Sequence, residues 1–433
     1  MLIKAIRWII ILLIAAAAIQ SCKEDPDESW PEVNIISPSS GSDFRVYDTI
    51  KVEATFSDDR ALESVKVALV GENNTPLTTP VSAVPNSNPY TFRAELIIDD
   101  ASLTGGTYKL LFQAFDGTNT ANTYLTIYLE ALPEALLYPV VVTAAGSNQI
   151  RIMRTDTNDV FQSLYLYQGD YGGSDVSSAF GQLYFSGKAK ADMKAYSLLT
   201  NKFLWSVPYE QSMTGHWFEG VQCFYPWVLV SHYDGLIRGY DRNGIQQFTS
   251  QPVSNYYPGP AIMISPYIVV SMKEYNSPLY QLAAFHAAGG KLLDLKPVSF
   301  TPVGFEPAGA QKVFVFGNLD GDGVIALYDL MNSNLSILKT IMDHSISDVD
   351  IMSDNVFYFA AGDEIYCYTY QNNSVIPFAV GYENARISCE KLNGQVYAAS
   401  GNSLYVLNTP DGSVEKSYLF NDPVLNVHLV YNK

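Results

Sequence analysis

Cysteine is scarce: the 433 residues hold four, Cys22, Cys223, Cys367 and Cys389. Setting Cys22 aside leaves three, an odd number that cannot close a full disulfide framework. No C-x-x-C occurs, so zinc-finger, haem-attachment and dithiol redox chemistry lack a motif. Positive charge is also short, with 26 Lys and Arg against 44 Asp and Glu and a formal net charge of −18. Such a chain has no basic surface to neutralise phosphates, which excludes a nucleic-acid partner. A nucleophile elbow, a zinc motif, a P-loop and a Rossmann fingerprint are all missing, so no catalytic residue is assigned. The longest apolar run, Trp8 to Ile19, is short for a membrane span.

Aromatic residues are plentiful. They make up 13% of the chain, with 30 Tyr, within a 48% hydrophobic total. That supplies large cores, and the length predicts two or three domains. At the N-terminus, Lys4 and Arg7 precede the apolar run and "QSC" follows it. Residues 1–21 therefore read as a signal peptide. A cysteine directly after Ser21 resembles a lipobox, which implies acylation of Cys22 and an outer-membrane anchor. Residues 22–30 form an acidic tether, and "KEDPDES" resembles the export signal of cell-surface lipoproteins of Bacteroidota.

The fold class predicted is all-β. Residues 31–130 alternate apolar and polar positions in short runs broken by Pro-Ser-Ser-Gly and Ser-Asp-Asp turns. About seven strands in about 100 residues fit an Ig-like β-sandwich, and the pattern resembles Ig-like and PKD-like modules of bacterial surface proteins. Asp58, Asp59 and Asp116 read as turn residues rather than calcium ligands. A linker covers 131–137.

Residues 138–433 repeat. Successive units centre their second turns near Asn158, Asn201, Gly244, Gly289, Asn334, Asn373 and Gly412, spaced by 43, 43, 45, 45, 39 and 39 residues. Units of this length with about four strands each predict a seven-bladed β-propeller. We name the strands of a unit A, B, C and D in order. Inner A strands are read at "GVQCFY", "PAIMI", "SDVDIM" and "ARISCE". The first unit lacks one, so the C-terminal stretch, about Val424 to Tyr431, should pair with Val140 to Ala145 and close the ring. The pieces "GNSLYVLNTPDGSV" and "MKAYSLLTNKFLW" resemble the PQQ-like propeller repeat. None of the units carries a quinone site, so no cofactor is expected from that resemblance.

In such a unit the D-to-A and B-to-C connections share one face. Here that set is long and aromatic: "YQGDYGGSD", "YEQSMTGHWFEG", "SNYYPGP", "FTPVGFEP" and "VGYENAR". Tyr171, His216, Trp217, Tyr256, Tyr257, Phe305 and Tyr382, with His232 from a B-to-C loop, are the candidate ligand-binding residues. The alternative is that these rings pack between blades. A second candidate is "NLDGDGVIALYD", whose Asn318, Asp320, Asp322 and Asp329 match calcium-loop spacing, although position 12 is Asp and the flanks are strands.

The expectation is a non-catalytic, lipid-anchored surface protein that binds a glycan, a peptide or a partner protein. By export signal and architecture it resembles the accessory lipoproteins of SusC/SusD-like nutrient transporters. A polysaccharide lyase or hydrolase, or an envelope assembly scaffold, are the alternatives.

Overall fold

The computed structural model describes residues 29–71, 75–100, 103–210, 216–409 and 411–433. The predicted signal peptide, Cys22 and most of the predicted acidic tether lie outside the described residues. The chain divides into two compact units, Met1–Pro133 and Glu134–Lys433. Strands alone make up the regular structure of the described residues, and no helix among them is long and apolar enough to cross a membrane.

In the first unit a three-stranded sheet (Glu32–Ser37, Thr49–Ser57, Tyr90–Ile97) accompanies a five-stranded one (Ser42–Arg45, Thr120–Glu130, Gly106–Phe115, Ser64–Val70, Val81–Ala83). The segment Thr49–Ser57 buries Ile50, Val52, Ala54 and Phe56 at alternate positions. They pack on Val65, Val67, Leu110, Phe112 and Ile127 of the other sheet. Among the described residues the strand count is eight, one more than the sequence predicts. Pro38 to Gly41 interrupts the first run, whose second half, Ser42–Arg45, pairs in parallel with Thr120–Glu130. Proline cannot donate to a ladder, which explains the break. Asp116 accepts the Thr118 and Asn119 N–H groups at 2.6 Å each, as a turn residue does.

Among its described residues the second unit contains seven four-stranded antiparallel sheets. Their A strands are Val424–Tyr431, Gly173–Ser177, Phe218–Phe224, Tyr256–Ile264, Thr301–Pro307, Ile346–Ser353 and Arg386–Glu390, for sheets one to seven. Sheet one takes its A strand from the C-terminal segment: Val424–Tyr431 pairs with Leu136–Gly146, joining Val424 to Thr143 and Tyr431 to Leu136. Each A strand lies against the next, and Val424–Tyr431 lies against Gly173–Ser177.

Burial follows strand position. B strands such as Gln182–Ser186 and Val356–Ala361 are buried almost throughout, because apolar neighbours cover both faces. D strands such as Val414–Leu419 are largely exposed. Among the described residues seven apolar clusters each join two consecutive sheets; Leu229 and Val270 meet between three and four, Phe316 and Phe359 between five and six. The cluster of Val141, Tyr397, Val406, Val427 and Leu429 joins seven to one.

Two A strands, Gly173–Ser177 and Thr301–Pro307, fall where the sequence reads as loop. Several begin with a register irregularity, at Phe218/Gly220, Pro258/Ala261, Pro302/Gly304 and Ile346/Asp348. Such bulges admit Gly and Pro inside a strand. The neighbouring A strands also leave little room: a Cβ on Gly304 would stand 2.6 Å from Val349 Cγ1.

The repeated C-to-D turn has a physical cause. Asn201, Gly244, Gly289, Asn373 and Gly412 have positive φ, while in the first and fifth turns the left-handed residue is the adjacent Asp159 or Ser333. Gly412 also presses on the preceding sheet, where its Cβ would meet Phe378 O at 2.3 Å. Gly401, in a B-to-C turn with φ +58, has open space around it. Gly412→Ala should therefore cost about 2–3 kcal/mol and Gly401→Ala about 1 kcal/mol, the strain of φ alone. Urea unfolding of the two variants measures the gap, and equal losses would remove the close approach as the cause.

Candidate functional site

In each four-stranded sheet of alternating direction, the B-to-C hairpin and the connection into the A strand leave from one side. On that side of sheets three and four lies a cleft of ≈ 480 Å³ lined by His216, Tyr233, Tyr257, Lys273, Asn276, Ser277 and Pro278. His216 stands two residues before the A strand of sheet three, and Tyr233 follows its B strand Trp227–His232. Tyr257 and Lys273 are cross-strand partners in sheet four.

Three tyrosine rings cluster here, and two of them, Tyr233 and Tyr257, line the cleft. Tyr233 stands 4.8 Å from Tyr257 and 5.1 Å from Tyr275, and Tyr257 and Tyr275 are 5.1 Å apart. The Tyr275 hydroxyl donates to Tyr233 O, tying the two hairpins together. The Arg238 guanidinium forks onto Asp234 at 2.5 and 3.2 Å, and Asn255 Nδ2 donates to Glu274 at 2.8 Å. These contacts fix the loops that carry the rings. The Lys273 ammonium lies 5.7 Å from the Tyr280 ring centre. Partial burial works against its charge, but Tyr280 and Tyr257 raise it above the ordinary lysine value. Burial raises the Tyr257 phenol, with Lys273 opposing. His216 Nδ1 is 2.7 Å from Glu219 Oε1.

Several sequence-predicted residues sit elsewhere. Trp217 is 4% exposed, and its ring is 5.2 Å from that of His232. His232 is the last residue of a B strand, 1% exposed, rather than a loop residue. Burial, with Arg238 nearby, pushes it down to about 3, so it is neutral. Neither of its ring nitrogens meets a hydrogen-bond partner in the described structure. Among the described residues no set of three or more ligating side chains is gathered. Tyr256 and Tyr257 belong to an A strand, and only Tyr257 lines the cleft. Phe305 and Tyr382 are core residues at 8% exposure each, in clusters four-five and six-seven. Tyr171 packs between sheets one and two, its hydroxyl 2.8 Å from Ser174 Oγ.

The calcium-loop reading is corrected. Asp320 and Gly321 have φ of +52° and +99° and form a tight two-residue hairpin in which Leu319 pairs with Asp322. Asp322 and Asp329 then occupy opposite ends of one strand, roughly 23 Å apart by strand rise. Asn318 bonds both backbone groups of Ile346, Asp322 accepts the Asp343 N–H, and Asp329 accepts the Asn332 N–H in the next turn. The four side chains do not converge.

Sequence reading missed Tyr233, Lys273 and Tyr275, although "SHYDG" and "KEYNS" place tyrosines in two adjacent B-to-C turns. It also missed the acidic A strands. Asp175 accepts the Cys223 N–H at 2.7 Å, Asp348 the Ile387 N–H at 2.9 Å, and Asp350 the Cys389 N–H at 2.6 Å. Each carboxylate thus bonds the next A strand. Burial pushes Asp175 and Asp348 up to about 6 and raises Asp350 and Glu306 as well. His428, held neutral by burial at about 4, donates to or accepts from Ser174 Oγ at 2.8 Å.

These carboxylates carry a pH prediction. Below about pH 4 Asp348 is protonated folded and unfolded. Between about 4 and 6 the unfolded chain ionises first, so each rise in pH lowers stability; above about 6 the deficit is constant. Asp348→Asn keeps an acceptor for Ile387 and removes the titration. Its melting temperature relative to wild type should climb between pH 4 and pH 7, by a margin worth on the order of 2 kcal/mol. A pH-independent difference would remove Asp348 as the titrating group.

Residues 31–111 match the bacterial Ig domain family. No curated protein matches the chain. Among solved structures, the computationally designed Ika8 protein is 13% identical with a TM-score of 0.50, over 66% of this chain and 86% of that one. Dihydro-heme d1 dehydrogenase NirN in complex with DHE gives 16% identity and a TM-score of 0.47 over 68% and 75%. A chain of the Mitotic Checkpoint Complex gives 11% and 0.49 over 58% and 78%. At such identities the likeness to Ika8 concerns fold alone. What the fold defines is an all-β protein with an N-terminal Ig-like module.

Proposed function

We propose that the second unit is a seven-bladed propeller, closed by pairing of Val424–Tyr431 with the first propeller strand, and that its His216–Tyr233–Tyr257–Lys273 cleft binds a glycan. The cleft itself carries this reading: two tyrosine rings on hairpins held together, lined also by a lysine and polar side chains. Aromatic faces with polar tips suit sugar rings, and the volume lies in the range of small-ligand sites, ~300–1,000 Å³. The Ig-like module serves as a spacer on a lipid anchor at Cys22, presenting the cleft at the surface of a Bacteroidota cell beside a SusC/SusD-like transporter. The lipobox-like "QSC" and the acidic "KEDPDES" support that placement.

A glycan and peptide binding screen tests the reading. Tyr233→Ala should weaken binding at least tenfold with a near-normal melting temperature, while unchanged binding would reject this cleft. A polysaccharide-active enzyme is the second reading, favoured by the carboxylate of Glu219 beside His216. Release of shortened polymer by the wild type, lost in His216→Ala, would favour it.

A further inference from the structure

Resting on the cleft reading, we infer that the preferred ligand is a carboxylated saccharide, its acid group set against Lys273 and its ring against Tyr233.

Charge supplies the first argument. Lys273 lines the cleft, and its near neighbours are the Tyr257 and Tyr280 phenols. Among the described residues no carboxylate lies within ion-pair distance of it, although the chain holds 44 Asp and Glu. Glu219 lies against His216, and Glu274 accepts from Asn255. The lysine charge is therefore left to the incoming molecule. In a protein of net charge −18 the long-range field repels anions, so a local cation is needed to hold one.

Shape supplies the second. Tyr233 is half-buried, so part of its ring is open, while Tyr257, at 9% exposure, backs it. Asn276 and Ser277 add an amide and a hydroxyl from the tight hairpin beside Lys273, where Asn276 has φ +58. A flat ring with hydroxyls and one carboxylate uses all of these groups. A folded protein would not enter a cleft of ≈ 480 Å³.

The whole chain should be titrated with polygalacturonate and with its fully methyl-esterified form, in which a methyl group replaces the negative charge of each carboxylate. Polygalacturonate should bind at least tenfold more tightly, with the difference shrinking as salt rises. Lys273→Met should abolish the difference, and Lys273→Arg should retain it. Equal binding of the two polymers, or a preference that survives Lys273→Met, overturns the inference. If some other ligand binds in a Tyr233-dependent manner while polygalacturonate does not, the inference falls and the cleft reading stands. If binding ignores both Tyr233→Ala and Lys273→Met, both fall.

Discussion

A chain lacking residues 423–433 is expected to lose the cooperative unfolding of its second unit. The missing A strand buries Val424, Val427, Leu429 and Val430. At about 1.5–3 kcal/mol for each side chain, their removal costs about 6–12 kcal/mol. A whole domain is stable by only about 5–15 kcal/mol. The loss also strips the cluster that joins sheets seven and one, and it leaves the strand Leu136–Gly146 as an unpaired edge. Such an edge pairs readily with other chains. Gel filtration should show aggregation, and circular dichroism should show no sharp melt beyond that of the Ig-like unit. A truncated chain that melts as the intact one does would reject closure through this strand.

Trp217→Ala should be the most damaging of the aromatic-to-alanine changes around the candidate face. Its ring is packed with Phe218, Val221, Val230 and Tyr240 between sheets two and three. Truncating a buried tryptophan costs about 3–5 kcal/mol, roughly 10 °C in melting temperature for a unit of this size. Tyr233→Ala removes a half-buried ring and should move the melt far less while abolishing binding. The pair separates support from contact. A Trp217→Ala variant that melts normally yet fails to bind would make Trp217 a ligand residue after all.

The repeat was legible because two of its signals are strong. B strands are continuous apolar runs, such as "VFVFG" and "VLVS", and the C-to-D turns need positive φ, which selects Gly and Asn. The A strands were harder. "YGGSD" and "TPVGFEP" carry the glycines and prolines of a loop, yet Gly173–Ser177 and Thr301–Pro307 are strands. Crowding between neighbouring A strands and the bulges at their starts select the same residues as turns do. The candidate face suffered from the same ambiguity. Tyr257, Phe305 and Tyr382 look alike in sequence, but Phe305 and Tyr382 are core residues beside other sheets and only Tyr257 reaches the cleft. Lys273 was invisible because a strand-end lysine is ordinary until its tyrosine neighbours are known.

The union of the two ends of the second unit also sets a timetable. Ala135 N–H bonds Asn432 Oδ1 across 297 residues of sequence. Contacts so remote form late, because most of the intervening chain must be ordered before they repay the entropy of bringing the ends together. The strand Leu136–Gly146 must therefore wait with one side uncovered while the other sheets assemble. Folding of this unit should be slow and sensitive to crowding by its own copies, with yield falling as refolding concentration rises.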